Sequence, residues 1–133
     1  ARVLANLGVK KAMVVYGQDG LDEISMSAPT TVCEVKDGEF LSYVITPEQF
    51  GFTRCSKDEL IGGSPQDNAQ IALAILKGEK GSRRDAVVLN SAAAIHIAKG
   101  ISIEDAIREA QEIIESGKAL AQLEQFAALT NQE

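Results

Sequence analysis

Ala12-Met13-Val14-Val15-Tyr16-Gly17-Gln18-Asp19-Gly20-Leu21-Asp22-Glu23 is the stretch that decides the fold. Its first five residues are apolar, partly β-branched and not alternating. A short run of that kind, closed by Gly17, suits a strand buried on both faces of a parallel sheet. Gln18-Asp19-Gly20 reads as a turn. Two adjacent carboxylates, Asp22 and Glu23, follow the turn. In an α/β sheet, ligands gather beyond the C-terminal ends of the strands. Acids placed there suit Mg²⁺, which prefers oxygen, keeps several waters and is held by one or two carboxylates plus substrate phosphates. On spacing alone, an Asp-Glu pair in a loop is more often a solvated surface than a metal site.

Upstream, Val3, Leu4 and Leu7 have helical spacing and Gly8 acts as a stop. The first residue is not Met, and the chain opens on what reads as the end of a helix. The expectation is a piece of something longer. Downstream, Leu21 to Thr30 has no period and reads as loop. Thr30-Thr31-Val32-Cys33-Glu34-Val35 and Phe40-Leu41-Ser42-Tyr43-Val44-Ile45 read as two strands joined by a hairpin turn with Asp37-Gly38 at its centre. Thr46-Pro47 ends the hairpin, because Pro cannot donate to a ladder.

The second half is helical. Ser56, Ser64, Ser82 and Ser102 are each followed three residues later by an acid, the pattern of an N-cap and first turn. Pro65 fits the first helical position. Lys77-Gly78 and Lys99-Gly100 are stops. These signals predict a short turn near 57–61 and helices near 65–77, 83–99, 103–116 and 118–130. The helix 83–99 is apolar nearly all round, which predicts burial on several sides.

With 133 residues, 45% hydrophobic and 24% charged, the chain is long enough for one domain and has the balance of a soluble globular protein. Aromatics are only 5% and Trp is absent, so aliphatic side chains must fill the core. A net charge of -6 argues against nucleic acid and against an anionic membrane surface as partners. No apolar run reaches the roughly 20 residues that span a bilayer. The first residues carry no signal-peptide pattern, and Cys33 and Cys55 form neither a disulfide framework nor a metal motif, so cytoplasmic reduced thiols are expected.

Conventional catalytic signatures are missing. His96, the one histidine, lies within the apolar helix and has no partner at metal-ligand spacing, so it reads as a structural helix residue. There is no GxSxG, Walker A or GxGxxG pattern. Gly62-Gly63-Ser64 before a helix has the composition of a phosphate cradle, but reads first as a turn and N-cap. No catalytic residue and no organic-cofactor residue is assigned; the metal candidates are Asp22 and Glu23.

The segment Val14 to Ser25 nevertheless resembles the signature of the anthranilate phosphoribosyltransferases. So do Ile45-Thr46-Pro47-Glu48-Gln49-Phe50-Gly51-Phe52, Asn68-Ala69, Leu76-Lys77-Gly78, Arg84 to Ala94 and Ser116-Gly117-Lys118-Ala119, in the family's order. The resemblance implies an α/β fold, with residues 1–133 the carboxy-terminal portion of one catalytic domain, and with the amino-terminal helical domain and the phosphate-binding loops lying outside them. It implies transfer of phosphoribose from phosphoribosyl pyrophosphate to anthranilate in tryptophan biosynthesis, a homodimer at full length, and Mg²⁺ held by Asp22 and Glu23. It also implies that this portion is inactive alone. Tyr16 stands where the family usually has His. A nucleic-acid-binding relative of the same fold and a pyrimidine nucleoside phosphorylase are the alternatives; the charge opposes the first, and the Asp-Gly-Leu-Asp-Glu run disfavours the second.

Overall fold

The computed structural model describes residues 1–131. A short helix α1 (Arg2–Asn6) leads into strands β1 (Lys11–Gly17), β2 (Thr30–Lys36) and β3 (Glu39–Ile45). Two 3₁₀ turns, Pro47–Phe50 and Lys57–Leu60, connect to helices α2 (Pro65–Leu76), α3 (Ser82–Lys99), α4 (Ile103–Glu115) and α5 (Lys118–Thr130). This is the predicted order of strand, hairpin and helical second half. Among the described residues no single helix is long and apolar enough to cross a membrane.

The pairing of β1 departs from expectation. The sheet order is β1-β2-β3, and β1 runs antiparallel to β2, with Lys11 opposite Lys36 and Gly17 opposite Thr30. Nor is β1 buried on both faces. The pleat sends Met13 and Val15 to the face that packs on the helices, alongside Val32 and Tyr43. Val14 and Tyr16 point the other way and are exposed. At Val14 and Tyr16 the second face is open to solvent, and an unalternating apolar run cannot report that.

The segment read as loop, 21–30, is irregular up to Pro29 as expected, but it is not confined to the surface. Ile24, Ser25 and Met26 are buried in it. An irregular segment can enter a core only if its backbone groups find partners. Here the Ser25 N–H donates to Thr30 Oγ1 at 2.9 Å, and Cys55 N–H donates to the Met26 carbonyl at 3.0 Å. Around this wedge the core joins Val32 and Ile45 of the hairpin to Val88, Leu89 and Ala92 of α3 and Ala106, Ile107, Ala110 and Ile114 of α4.

Three of the four serine starts behave as read. Ser64 and Ser102 accept from the N–H of Asp67 and Asp105 at 3.2 and 3.0 Å, and Glu59 Oε1 accepts from Ser56 N–H at 2.9 Å. Ser82 does not cap. Gly81 holds that position, and the Ser82 hydroxyl donates to Glu59 Oε2 at 2.9 Å, tying α3 to the 57–60 turn. The competing acceptor in space, which the local pattern cannot show, takes the hydroxyl.

His96 is a cross-link between layers. Its Nε2 meets Glu34 Oε1 at 2.9 Å, its Nδ1 meets the Ile101 carbonyl, and Tyr43 donates to Glu34 Oε2 at 2.8 Å. The half-buried Glu34 thus joins the hairpin to the α3–α4 corner. Burial opposes its ionisation, but the hydrogen bonds from His96 and Tyr43 outweigh it and hold the carboxyl below its usual range. Burial and then the Glu34 bond push the Tyr43 phenol up. A carboxyl depressed in the folded state contributes stability that is complete above its unfolded pKa and is lost as pH falls through the folded one. The urea midpoint is therefore expected to drop between about pH 5 and pH 3, and Glu34→Gln to flatten that drop. Equal pH slopes for the two proteins would show that the network does not contribute.

Candidate functional site

The site is built on the turn that leaves β1. Gly17 N–H donates to the Leu21 carbonyl and Gly20 N–H to the Gly17 carbonyl, both at 2.8 Å, so the chain folds back at once. Gly17 has to be glycine. A Cβ there would sit 2.7 Å from Asp19 Oδ1 and 3.1 Å from Ser25 Cβ. The Asp19 carboxylate accepts from the hydroxyls of Ser25, at 2.8 Å, and Ser27, while Lys57 Nζ donates to the Asp19 carbonyl. Burial works against ionisation of Asp19, but the two hydroxyls, a Leu21 backbone contact and Lys57 outweigh it, holding the carboxyl below its ordinary value. Asp19 is thereby an internal anchor of the loop. Sequence reading saw only a turn there, since nothing in the spacing announces Ser25 and Ser27 as its partners.

A second anchor closes the other end. Asn90 of α3 accepts from the Ile24 N–H at 2.9 Å and donates Nδ2 to the Ile24 carbonyl at 3.0 Å. One side-chain amide thus satisfies both backbone groups of a buried residue, as a neighbouring strand would.

Asp22 and Glu23 lie between these anchors, in the loop beyond the C-terminal end of β1, and both are exposed, as the sequence predicts. The structure gives neither carboxylate a hydrogen bond or ion pair among the described residues. Both line a groove of about 610 Å³ whose walls include Leu60, Ile71, Ile75 and Val87, with Asn68 and Arg83 among its polar groups. Arg83 directs a guanidinium N–H to the Ile61 carbonyl at 2.7 Å.

The donor set fits magnesium. It offers two adjacent, uncompensated carboxylates beside open space, and no group of three His, Cys, Asp or Glu side chains is present among the described residues. Zinc and calcium favour fuller protein cages, whereas Mg²⁺ accepts one or two carboxylates with waters and phosphates. Gly62-Gly63-Ser64 proves to be a turn and cap. Gly63 N–H donates to Asn68 Oδ1 at 2.9 Å and Ser64 N–H to Asp67 Oδ2 at 3.0 Å, so these donors are taken.

Residues 1–120 match the sequence profile described as the glycosyl transferase family, a/b domain. The chain belongs to that family. It is 60% identical over 130 residues to an anthranilate phosphoribosyltransferase of Methanobrevibacter smithii, covering 97% of this chain and 39% of that one. It is 52% identical over 132 residues to the enzyme of the same name from Lachnoclostridium phytofermentans, again 39% of its length. The chain thus spans about two fifths of the relatives it matches. Its fold superposes on the anthranilate phosphoribosyltransferase of Thermus thermophilus with a TM-score of 0.84 and 37% identity, over 94% of this chain and 37% of that one. It also superposes on the Saccharomyces cerevisiae enzyme in complex with phosphoribosyl pyrophosphate and magnesium, with a TM-score of 0.81 and 27% identity, over 89% and 34%. This supports the sequence-based assignment to an α/β glycosyltransferase fold.

The Asn90 clamp yields a test. Asn90→Ala leaves the buried Ile24 N–H and C=O without partners, and each orphaned group costs about 1–3 kcal/mol. Urea denaturation is expected to show a loss of about 2 kcal/mol or more for the two groups together, with faster amide exchange at Ile24. A variant with unchanged stability and unchanged exchange would show that the loop is held by other contacts.

Proposed function

We propose that this chain is the carboxy-terminal portion of one α/β catalytic domain of an anthranilate phosphoribosyltransferase, in which Asp22 and Glu23 hold magnesium. One observation carries the reading: the two carboxylates stand exposed and uncompensated beyond β1, beside a groove, in a chain closely similar to enzymes of that name. The yeast neighbour bound to phosphoribosyl pyrophosphate and magnesium supports the ligand assignment.

The residues divide the work simply. Asp19 and Asn90 fix the ends of the loop, so the carboxylates between them need little reorganisation to bind a cation. When bound, magnesium would neutralise the negative charge on a departing pyrophosphate. The amine of anthranilate is a neutral nucleophile, so orientation counts for more than a strong base. This chain has no glycine-rich phosphate loop, so contacts to the phosphates fall to the portion of the enzyme that it does not span.

The test is a hybrid in which this chain replaces the matching part of the Methanobrevibacter relative. Asp22→Asn with Glu23→Gln should lower turnover by about 100-fold, equivalent to about 2.7 kcal/mol of barrier. The magnesium needed for half-maximal rate should rise while the melting temperature holds. Mn²⁺ binding to the 133-residue chain, followed by electron paramagnetic resonance, should weaken in the same double variant. Near-normal turnover with an unchanged magnesium dependence would reduce the pair to a solvated turn. The 133-residue chain alone is expected to form no phosphoribosyl anthranilate; product formation by it would overturn the placing of the phosphate contacts elsewhere.

A further inference from the structure

The only ionisable side chains lining the groove beyond β1 are Asp22, Glu23 and Arg83. The arginine is unlike most others in the chain. Arg54, Arg84 and Arg108 each meet a carboxylate, whereas Arg83 meets none among the described residues. Its Nη2 donates instead to the Ile61 carbonyl at 2.7 Å. A guanidinium carries five N–H donors in a fixed fork. The Ile61 bond uses one of them and holds the head at the groove wall, since Leu60 and Gly62, on either side of Ile61, belong to the lining. An arginine tethered in this way gives up less freedom when it meets a ligand.

The three charges do not cancel where they stand. Arg83 forms no ion pair with Asp22 or Glu23, although all three share the lining. A ligand complementary to this groove therefore carries both signs. The acids call for a cation and the guanidinium for an anion. A doubly charged ion on the two acids balances them and leaves the arginine in excess, so an anion follows the metal in. Much of the remaining wall is apolar, built from Leu60, Ile71, Ile75 and Val87, and charges attract more strongly beside such walls than in open water.

We propose that Arg83 is a substrate-binding residue of this groove, and that it takes the pyrophosphate end of a magnesium-chelated phosphoribosyl donor. The inference rests on the reading above that Asp22 and Glu23 hold magnesium, and it names the side chain that meets the anion. Three features select a diphosphate. It chelates a metal with some of its oxygens and keeps others free for a second cation. The planar guanidinium fork matches two phosphate oxygens at once. Negative charge grows on the pyrophosphate as it departs, so a cation already in place at that end is worth more in the transition state than before it. Arg83 thus adds one contact from this chain to those that fall to the portion it does not span.

The test titrates inorganic pyrophosphate with Mg²⁺ into the hybrid by calorimetry. Arg83→Gln should weaken its binding about 10-fold or more, the worth of one charge-assisted hydrogen bond, and Arg83→Lys should recover part of the loss. Mn²⁺ alone, followed by electron paramagnetic resonance, should bind both variants as it binds the parent hybrid, because Arg83 meets the anion and not the metal. Unchanged pyrophosphate affinity in Arg83→Gln would overturn the proposal. So would an equal loss of Mn²⁺ and pyrophosphate affinity, since Arg83 would then act only by shaping the groove through Ile61. The two readings fail separately. If Asp22→Asn with Glu23→Gln keeps its Mn²⁺ while Arg83→Gln still loses pyrophosphate, the magnesium assignment falls and the Arg83 contact stands. If the double variant loses Mn²⁺ while Arg83→Gln binds pyrophosphate normally, the contact alone falls.

Discussion

The carboxamide of Asn90 is the contact on which the candidate site depends. The loop after β1 must enter the core through Ile24, and an irregular backbone cannot do so with unpaired groups. Asn90 satisfies the Ile24 N–H and carbonyl together and donates also to the Ala86 carbonyl of its own helix, which fixes its own direction. With Asp19 fastened to Ser25 and Ser27 on the other side, the two intervening acids have little freedom except in their side chains. Their exposure is thus a consequence of what is buried around them.

The architecture around this clamp is one-sided. Helices α3 and α4 cover one face of a three-stranded sheet, and the opposite face leaves Tyr16, Val44 and Phe40 in solvent. A chain of this size with 5% aromatics has few large side chains to spend, and several of them lie on that outer face. The core instead relies on Ala92, Ala106 and Ala110, which let α3 and α4 approach closely. The same shortage explains the polar cross-links of the fold, such as the His96–Glu34–Tyr43 network, where small domains more often use aliphatic contacts.

Much of this was legible in the sequence, and the limits have physical causes. Helices α2 to α5 announce themselves because capping is local: Ser64, Ser102 and Gly100 act on groups within a few residues. The hairpin is readable for the same reason, since Asp37-Gly38 fixes its turn and both residues take positive φ. Asp22 and Glu23 are placed correctly because strand, glycine turn and acids follow in order. Partnerships across long separations are not readable. Ser82 looks like its three capping counterparts, yet Glu59 takes its hydroxyl. Met26 sits in a stretch with no period, yet is fully buried. The direction of β1 fails for a related reason: an apolar pentamer reports burial, not which neighbour it pairs with.

The clamp also bears on how the chain reaches this state. Ile24 and Asn90 are 66 residues apart. The hairpin and each helix can form from nearby residues, but the loop bearing the acids gains its second anchor only when α3 docks. Closing so long a loop costs entropy before any contact repays it, and such contacts slow folding. We take it as a hypothesis that the acidic loop is ordered after the rate-limiting step, so that changes at Asn90 accelerate unfolding and leave the folding rate almost untouched. A slowed folding limb in the Asn90→Ala protein would reverse that order. On that order the carboxylates of Asp22 and Glu23 reach their final spacing only once Asn90 has closed on Ile24. The spacing of the two carboxylates would then report the completion of folding.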